Sequence, residues 1–554
     1  MHATRLVVTN AIASAMLLVY GRSAYAGTCI EPVPASGVWV CSGPVGADVT
    51  QPIFGGPVSV TTNPGFGIFT AAGNALTITG NGGLSFTDAN GSLIYGDDTG
   101  VYARNYVSGN LSISSNGTIV GLNTGIDARN FGTDLTITTD VVASLQSGIV
   151  AVNYGSGATT VTSTTIAYGI YISGIDARNF GTDLTVNAVD VYGGQFGIIA
   201  TNYGTGATNI TTTGTVGSLS AFGILANNDT TATSLTINSV DVYGGQFGIV
   251  AQNNGTGATV VTSTGTVTGT NYSGIFATNG TTATDLSINA NNVSGGDDGI
   301  YTFNAGTGST TINSTGTITA GLNGIYAYND VTAGNLTITA NAVTGGINGI
   351  NVTNEGTGST SITATGTVTA LNNFGILATN GATSTDLSVT AVDVTSPANG
   401  IRTVNYGTGS TTITTTGSVS GNTLIGISAY NGATTDNVSV TSVDVSGGIY
   451  GISTLNFGTG FTTVTSTGTV TGTSAAGIDA RNFSVASTDL TITAFDVNSD
   501  LTGIVARNNG SGATTVTSTG TVIGTNGFGI DAQNTGATST NLTVNANDVT
   551  GGGF

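Results

Sequence analysis

Apolar and polar residues alternate along most of this chain with a period of two. In one typical segment Ile126 and Ala128 fall on one side of an extended backbone, while Asp127 and Arg129 fall on the other. Such alternation, with many β-branched residues, is typical of β-strands, and the spacing of amphipathic helices is absent. The abundance of Gly, Thr and Asn also opposes helix formation. The pattern therefore predicts strands and turns throughout residues 67–554.

The alternation is organised into a repeat. Gly-Ile recurs every 23 to 26 residues from Gly125 to Gly529, and Gly100-Val101 extends the series backward. A small or β-branched residue, usually alanine, lies three residues after each glycine, and an asparagine lies five residues after it. The asparagines are Asn105, Asn130, Asn153, Asn179, Asn202, Asn228, Asn253, Asn279, Asn304, Asn329, Asn354, Asn380, Asn405, Asn431, Asn456, Asn482, Asn508 and Asn534. Two versions of the repeat alternate, so the duplicated block is about 51 residues long.

A repeat of about 25 residues has room for three short strands and three turns, but it cannot bury its inner face alone. We therefore predict an all-β fold: a long parallel β-helix with three faces and about 18 turns of about 25 residues. Equivalent residues of successive turns would form ladders. The asparagines would form a structural ladder at a corner, where tolerance of left-handed backbone angles and amide hydrogen bonds between turns both favour asparagine.

Composition narrows the class of protein. The chain has 87 glycines without a three-residue period, which excludes collagen, and 39% hydrophobic residues, which is too many for a disordered linker. Only 6% of residues are charged, lysine is absent, and the formal net charge is −20. That charge disfavours nucleic acids and anionic lipids as partners. Sparse acidic residues on a Thr- and Asn-rich surface are also what keeps an exported protein in solution.

The N-terminal residues predict export. Residues 1–26 combine Arg5, an apolar stretch and the small-x-small site that ends at Ala26, so we predict a secretory signal peptide with Gly27 as the mature N-terminus. The only cysteines, Cys29 and Cys41, follow closely, and in an oxidising compartment we expect them to form a disulfide. We assign residues 27–66 to an N-terminal cap and residues 67–554 to the β-helix repeats.

The signal segment, the cysteine pair and the Gly-Ile-x-Ala-x-Asn and Thr-Gly-Thr-Val-Thr-Gly repeats together resemble the passenger regions of bacterial autotransporters, the type V secretion family. The resemblance implies a right-handed parallel β-helix at the cell surface, associated with the outer membrane or extracellular, acting as an adhesin or scaffold. It implies a surface glycan or a protein receptor as partner. The family also carries a C-terminal translocation barrel, which is absent here: repeats continue to Asn534, so the sequence is a fragment or is exported another way.

The search for catalytic chemistry finds few candidates. The sole histidine, His2, lies in the signal segment, and the absence of lysine removes Schiff-base chemistry. Paired carboxylates stay open as candidates: Asp127, Asp176, Asp479 and Asp531, and the recurring Asp134, Asp183, Asp285, Asp386 and Asp489. They recur in register with the repeat, whereas a catalytic site should interrupt it. We therefore expect a structural or adhesive protein, not an enzyme, with no catalytic, cofactor or metal site. The alternative is a secreted β-helix that binds or cleaves polysaccharide.

Two further sets of residues have two interpretations each. Aromatic residues follow several of the asparagines and either stack on sugars or pack against neighbouring turns: Phe131, Tyr154, Phe180, Tyr203, Tyr406 and Phe457. We favour packing. Asp97-Asp98 and Asp297-Asp298 lie beside glycines and are interpreted as polar turns, with weak cation binding as the alternative.

Overall fold

The computed structural model describes residues 27–44 and 51–552, with the backbone alone for residues 51 and 52. The predicted signal segment, including Ala26, lies outside the described residues. Within them the chain is all-β without helix, and it forms about 20 parallel stacked coils of a β-solenoid. This confirms the predicted parallel β-helix and adds turns to the 18 that the sequence motif marks.

The chain forms two compact units, Met1–Gln246 with Asn254–Thr256, and Phe247–Asn253 with Gly257–Phe554. The strands of the first unit are β1 (Thr28–Ile30), β2 (Val38–Ser42), β3 (Gln51–Gly55), β4 (Val58–Thr62), β5 (Gly67–Phe69), β6 (Leu76–Asp88), β7 (Leu93–Gly96), β8 (Thr99–Gly121), β9 (Thr124–Asn130), β10 (Leu135–Ser144), β11 (Ser147–Asn153), β12 (Thr159–Gly169), β13 (Ser173–Asn179), β14 (Leu184–Gly193), β15 (Phe196–Asn202), β16 (Thr208–Thr212), β17 (Thr215–Ser218), β18 (Phe222–Asn228), β19 (Leu235–Ser239) and β20 (Asp241–Gly244).

The strands of the second unit are β21 (Phe247–Asn253), β22 (Thr259–Gly269), β23 (Ile275–Asn279), β24 (Leu286–Gly295), β25 (Ile300–Asn304), β26 (Thr310–Ala320), β27 (Asn323–Asn329), β28 (Leu336–Gly345), β29 (Asn348–Asn354), β30 (Thr360–Ala364), β31 (Val368–Ala370), β32 (Ile376–Asn380), β33 (Leu387–Ala391), β34 (Val394–Ser396), β35 (Ile401–Asn405), β36 (Thr411–Thr415), β37 (Ser418–Gly421), β38 (Ile425–Asn431), β39 (Val438–Ser442), β40 (Asp444–Gly447), β41 (Tyr450–Asn456), β42 (Thr462–Gly472), β43 (Ala476–Asn482), β44 (Leu490–Ser499), β45 (Thr502–Asn508), β46 (Thr514–Gly524), β47 (Ile530–Asn534) and β48 (Leu542–Gly551).

Each repeat contributes three extended segments to one coil. In the first unit, β15, β16 and β17 are three separate strands of one coil. In other coils the second and third segments join into one strand that bends at a bulge, as β10 does between Thr139 and Val141. The first segment of each repeat carries the Gly-Ile-x-Ala-x-Asn motif, and we call it the motif strand.

Successive coils stack with identical residues in register. In the second unit, Ile300 of β25 pairs with Ile325 of β27, which pairs with Ile350 of β29, and all three side chains are fully buried. Burying one such side chain contributes roughly 1.5–3 kcal/mol. The core is therefore a set of apolar ladders that run from coil to coil, with alanine, threonine or valine two residues after each isoleucine.

The glycine of the motif is required by a close approach between coils. A Cβ atom at Gly324 would lie 2.2 Å from Cγ1 of Val343 and 2.6 Å from the carbonyl oxygen of Gly349 in the next coil. No side chain fits between these atoms. The backbone of the motif strand can therefore approach the inner wall only where the residue before isoleucine is glycine.

The N-terminal residues begin with an antiparallel pair, β1 and β2, and Cys29 and Cys41 are paired across it in a disulfide with Cα atoms 3.9 Å apart. Strand β2 then pairs in parallel with β4, and β3 pairs in parallel with β6. Parallel stacking therefore begins inside residues 27–66, which the sequence assigned to the cap. These first coils bury Ile, Val and Leu without the full Gly-Ile-x-Ala-x-Asn motif, which is why the motif undercounts the turns.

Candidate functional surface

The outward carboxylates of the motif strands lie against arginines. Asp127 accepts from Arg104 and Arg129 at 3.1 Å each, and Asp176 accepts from Arg178 at 2.9 Å. In the second unit the same arrangement joins Asp479 to Arg481 at 2.6 Å and Asp531 to Arg507 at 2.9 Å. Burial raises the pKa of Asp479, and the hydrogen bond and charge of Arg481 oppose that rise. These four acids form ion pairs, in which Asp479 is buried and the other three are half-buried, and no two of them face each other as a carboxylate pair.

The recurring aspartates lock one coil to the next. Oδ1 of Asp285 accepts from the backbone N–H of Ser309 at 2.8 Å, one coil further along. A Cβ atom at the preceding glycine, Gly308, would lie 2.5 Å from the same Oδ1, so only glycine admits the carboxylate. The same bond is made by Asp134 to Ala158, Asp183 to Ala207, Asp386 to Ser410 and Asp489 to Ala513. We call this contact the aspartate clamp.

The asparagine ladder lies in the interior, at the end of each motif strand. From Asn105 to Asn202 the amides bond to one another, as Nδ2 of Asn105 does to Oδ1 of Asn130 at 2.8 Å. In the second unit Asn482 and Asn508 keep such a bond at 3.1 Å, whereas Asn304 uses other partners. Oδ1 of Asn304 accepts from the N–H of Gly306, and Nδ2 donates to the carbonyl of Gly308, both at 3.0 Å.

In every second coil of the second unit, the ladder asparagine accepts from a threonine hydroxyl of the preceding coil. Oδ1 of Asn329 accepts at 2.6 Å from the hydroxyl of Thr310 in the preceding coil. Among the described residues only Ala35 has a positive φ outside glycine, so the predicted left-handed backbone at the asparagines is wrong. Asparagine is retained here because its amide is both donor and acceptor at a buried corner.

The corner aromatics form columns. In the first unit Tyr106, Phe131, Tyr154, Phe180 and Tyr203 stack successively, with centroids 6.4, 4.7, 5.2 and 4.7 Å apart. Their planes are within 16–21° of parallel, so each inner ring has both faces covered by its neighbours. The five side chains are 41–51% exposed, so the column lies at the surface of the unit. This geometry agrees with packing between coils and leaves no row of open ring faces on which sugars could stack.

In the second unit the corresponding aromatics pack less regularly. Tyr406 contacts Tyr430 edge-on at 5.7 Å, Tyr430 contacts Phe457 at 5.4 Å with tilted planes, and Phe457 stacks on Phe483 at 4.5 Å. Each ring again has an aromatic neighbour in the adjacent coil. Packing between coils therefore also accounts for Tyr406 and Phe457.

A second aromatic cluster lies on the motif strands of the second unit, and the sequence interpretation missed it. Phe276, Tyr301 and Tyr326 occupy equivalent outward positions on β23, β25 and β27, with centroids 4.8 and 5.0 Å apart. Phe303 and Tyr328 lie two residues further along β25 and β27 and stack at 5.4 Å. We call these five residues the aromatic patch. The signal was present in the sequence: three consecutive repeats have aromatic residues where most others are polar or aliphatic.

Acidic residues border the aromatic patch. Asp298 lies before β25, and its carboxylate accepts from the N–H and Nδ2 of Asn323 at 3.1 and 2.8 Å. Burial raises the pKa of Asp298, while the bonds from Asn323 oppose the rise. Burial also raises the pKa of the Tyr328 phenol, and the charges of Asp330 and Glu355 raise it further. The patch therefore lies in a negative field.

Asp97-Asp98 and Asp297-Asp298 lie in turns. The backbone carbonyl of Asp98 accepts from Asn123 at 2.8 Å, and that of Asp297 accepts from Leu322 at 2.7 Å. Within the described ranges no group of three His, Cys, Asp or Glu side chains could hold a metal ion. In the same residues no helix has the length and apolarity needed to cross a membrane.

No protein-family model, curated protein or solved structure matches this chain. The function must therefore be inferred from the repeat and from the outward side chains that break it.

Proposed function

We propose that this chain is an exported structural and adhesive protein of the bacterial cell surface, similar to an autotransporter passenger and without catalysis of its own. One observation carries the proposal: an inner wall that repeats from coil to coil supports outward positions that change in blocks. Ile, Ala and Asn recur inside. Outside, the same strands present Arg–Asp pairs in some coils and the aromatic patch in others. Such a scaffold displays side chains at fixed spacing, which suits contact with a partner.

Export is supported by the composition of residues 1–26 and by the disulfide. A pair of cysteines that is joined in the structure fits an oxidising compartment, because cytosolic thiols are kept reduced. The non-catalytic part of the proposal rests on the same sequence. A chain without lysine, whose one histidine is His2, has few groups that titrate near neutral pH. The candidate carboxylates are engaged by arginines or backbone amides.

Surface display is tested by shaving intact cells of the producing bacterium with protease and probing with an antibody against residues 67–554. We expect the antigen to disappear from intact cells that carry the full chain. The matched control deletes residues 2–26, and there the antigen should stay protected until the cells are lysed. Protection of the full chain in intact cells would contradict display. Adhesion is measured in parallel by comparing attachment of cells with and without the gene.

The absence of catalysis is tested with purified protein and a panel of neutral and acidic polysaccharides. We expect no release of reducing or unsaturated ends above the buffer control. Release that survives repurification and disappears in a variant lacking one outward carboxylate, such as Asp531→Asn, would contradict the non-catalytic part and favour the polysaccharide-cleaving alternative.

A further inference from the structure

The aromatic patch groups five half-buried rings on the outward side of three successive motif strands of the second unit. Its rings form two short columns, one of three rings and one of two, on adjacent outward positions of the same strands. The patch differs from the corner columns because its rings lie on the motif strands themselves, at positions that are polar or aliphatic in most other repeats. Aromatic clusters of this kind are typical of contact surfaces, because each ring offers a large area at low entropic cost.

Both columns end at the same coil. Tyr326 of β27 is in register with Asn351 of β29, and Tyr328 is in register with Thr353. The smaller side chains leave the outer faces of both tyrosine rings less covered than the faces inside the columns. Two adjacent ring faces are thereby presented towards the coil that contains β29.

Two carboxylates lie beside these faces. Asp330 and Glu355 follow the paired asparagines Asn329 and Asn354, so they occupy equivalent corner positions in neighbouring coils. Adjacent coils are about 4.8 Å apart, and like charges at such positions repel. Within the part of the chain that the structure describes, neither acid forms an ion pair.

The surrounding sequence supplies no counter-charge. From residue 247 to residue 401 the second unit contains no lysine or arginine, and it contains seven acidic residues: Asp285, Asp297, Asp298, Asp330, Glu355, Asp386 and Asp393. A positive charge near the tyrosine faces must therefore come from another molecule. The charge and the open ring faces both select a cation.

We propose that the aromatic patch, with Asp330 and Glu355, docks a basic segment of a partner polypeptide. An arginine or lysine side chain lies over the open faces of Tyr326 and Tyr328, where the ring quadrupole attracts it, and the two carboxylates accept its hydrogen bonds. This deepens the proposed adhesive function and rests on it for the biological setting. A neutral sugar is the weaker candidate, because the inner ring faces of the patch are covered by one another.

The proposal is tested by fluorescence anisotropy with a labelled arginine–glycine peptide and the purified full chain. The double variants Tyr326→Leu/Tyr328→Leu and Asp330→Asn/Glu355→Gln should each weaken binding about tenfold, which corresponds to a change of about 1.4 kcal/mol. Leucine keeps an apolar surface but has no ring face. Two matched controls change the same residue types elsewhere: Tyr154→Leu/Tyr203→Leu in the first unit, and Asp500→Asn/Asp548→Asn in the second. Both should bind within about twofold of the unmodified chain.

Equal weakening by the patch and control acid variants, with no effect of the tyrosine variant, would overturn the proposal in favour of non-specific attraction to an acidic protein. Competition by a neutral oligosaccharide, but not by free arginine, would overturn it in favour of a glycan. Each variant is first checked for an unchanged circular dichroism spectrum, and Tyr328→Leu alone replaces the double variant if that one unfolds. The assay is independent of export. Failure of the unmodified chain to bind the peptide, with surface display intact, defeats this inference alone. Peptide binding by a chain that is not displayed at the surface defeats the proposed function alone.

Discussion

The inner and outer positions of the same strands behave differently in the second unit. Along β25, β27 and β29 the inner positions repeat as Ile300, Ile325 and Ile350, whereas the outer position two coils later than Tyr301 is Asn351. At an inner position, a substituted side chain must fit between the unchanged isoleucines of the two adjacent coils, and the close packing of the core allows little variation in size. Outside, a changed residue meets solvent. The comparison teaches that the fold resides in the ladders and that any recognition resides in departures from the repeat.

The largest effect that can test this comparison is a cavity in the ladder. Ile325→Ala should lower the free energy of unfolding by about 2–5 kcal/mol, because Ile325 is fully buried between two other isoleucines. Its outward neighbour Tyr326 is the control: Tyr326→Ala should cost about 0.5–1.5 kcal/mol through the lost ring stacking. Urea denaturation midpoints measure both. Equal losses would show that the two sides of the strand are not distinct.

The next effect concerns the asparagine ladder. Asn304→Ala should cost about 1–3 kcal/mol, because it leaves the N–H of Gly306 and the carbonyl of Gly308 without their buried partner. Tyr301→Ala on the outward face of the same strand should cost less. The denaturant midpoint and hydrogen exchange of the Gly306 amide provide the measurement. If the Gly306 amide keeps its protection in Asn304→Ala, the assigned role of this asparagine is wrong.

The pH dependence of the free energy of unfolding distinguishes Asp88, a buried carboxylate with several hydrogen bonds, from Asp298, which borders the aromatic patch. Burial opposes ionisation of Asp88, but hydrogen bonds from Thr62, Ser92 and Ser115, with one from the N–H of Asn90, hold its pKa below the usual value. Because the folded pKa is the lower one, Asp88 stabilises the fold above the unfolded pKa of about 3.9, and that contribution is lost as the pH falls through the folded pKa.

For Asp298 the sign is reversed. Burial raises its pKa, so its ionisation opposes folding, and stability declines as the pH rises through the raised value. Asp88→Asn should therefore destabilise the chain more at neutral pH than in acid. Asp298→Asn should do the opposite: relative to the unmodified chain, the variant should be more stable at neutral pH than in acid, because asparagine does not ionise. Thermal midpoints between acid and neutral pH measure both. If the effects of the two substitutions on the thermal midpoint changed in the same direction with pH, the opposite pKa shifts assigned to Asp88 and Asp298 would be wrong.

The smallest change in the free energy of unfolding is expected for substitutions at outward polar positions of the second extended segment of a coil. Thr337 and Thr339 of β28 alternate with the buried Ile338, and they pair with residues of the adjacent coils. Thr337→Ser should change the free energy of unfolding by no more than about 0.5 kcal/mol. Ile338→Val, a change of one methylene inside, should cost about 0.5–1.5 kcal/mol. An outward change larger than the inward one would break the comparison.

The fold could be predicted from the sequence because period-two alternation and the Gly-Ile motif encode the stacking directly. The predicted inner isoleucines, alanines and asparagines are buried, except that Ile530, Ala532 and Asn534 of the last motif strand are half-buried. The predicted number of turns was too low, since strands such as β6 stack in the same register without the motif: Leu76 and Ile78 pair with Val101 and Ala103. The signal segment and export stay predictions.

The candidate surface was harder to predict, because its contacts join residues about 25 positions apart. The aspartate clamp depends on Asp285 and a backbone N–H one coil later, and nothing local marks that bond. The aromatic patch could have been found by aligning the repeats by their glycines and comparing outward positions. The partner of each ladder asparagine could not, because amide, hydroxyl and backbone partners differ from one part of the chain to another.

The aspartate clamp also constrains how such a gene can lengthen. A coil with the aspartate must be followed by a coil with the Gly-x-Gly that admits it, as Asp386 is followed by Gly409 and the N–H of Ser410. A second contact, in which the hydroxyl of Thr411 donates to Oδ1 of Asn431 in the following coil, requires the two coil types in the opposite order. Unequal recombination that inserts a single coil would place two coils of the same type next to each other, so neither the aspartate clamp nor the Thr–Asn contact could form there. Insertion of two coils keeps the alternation and preserves both contacts. Copy number in this type of sequence should therefore change by even numbers of coils.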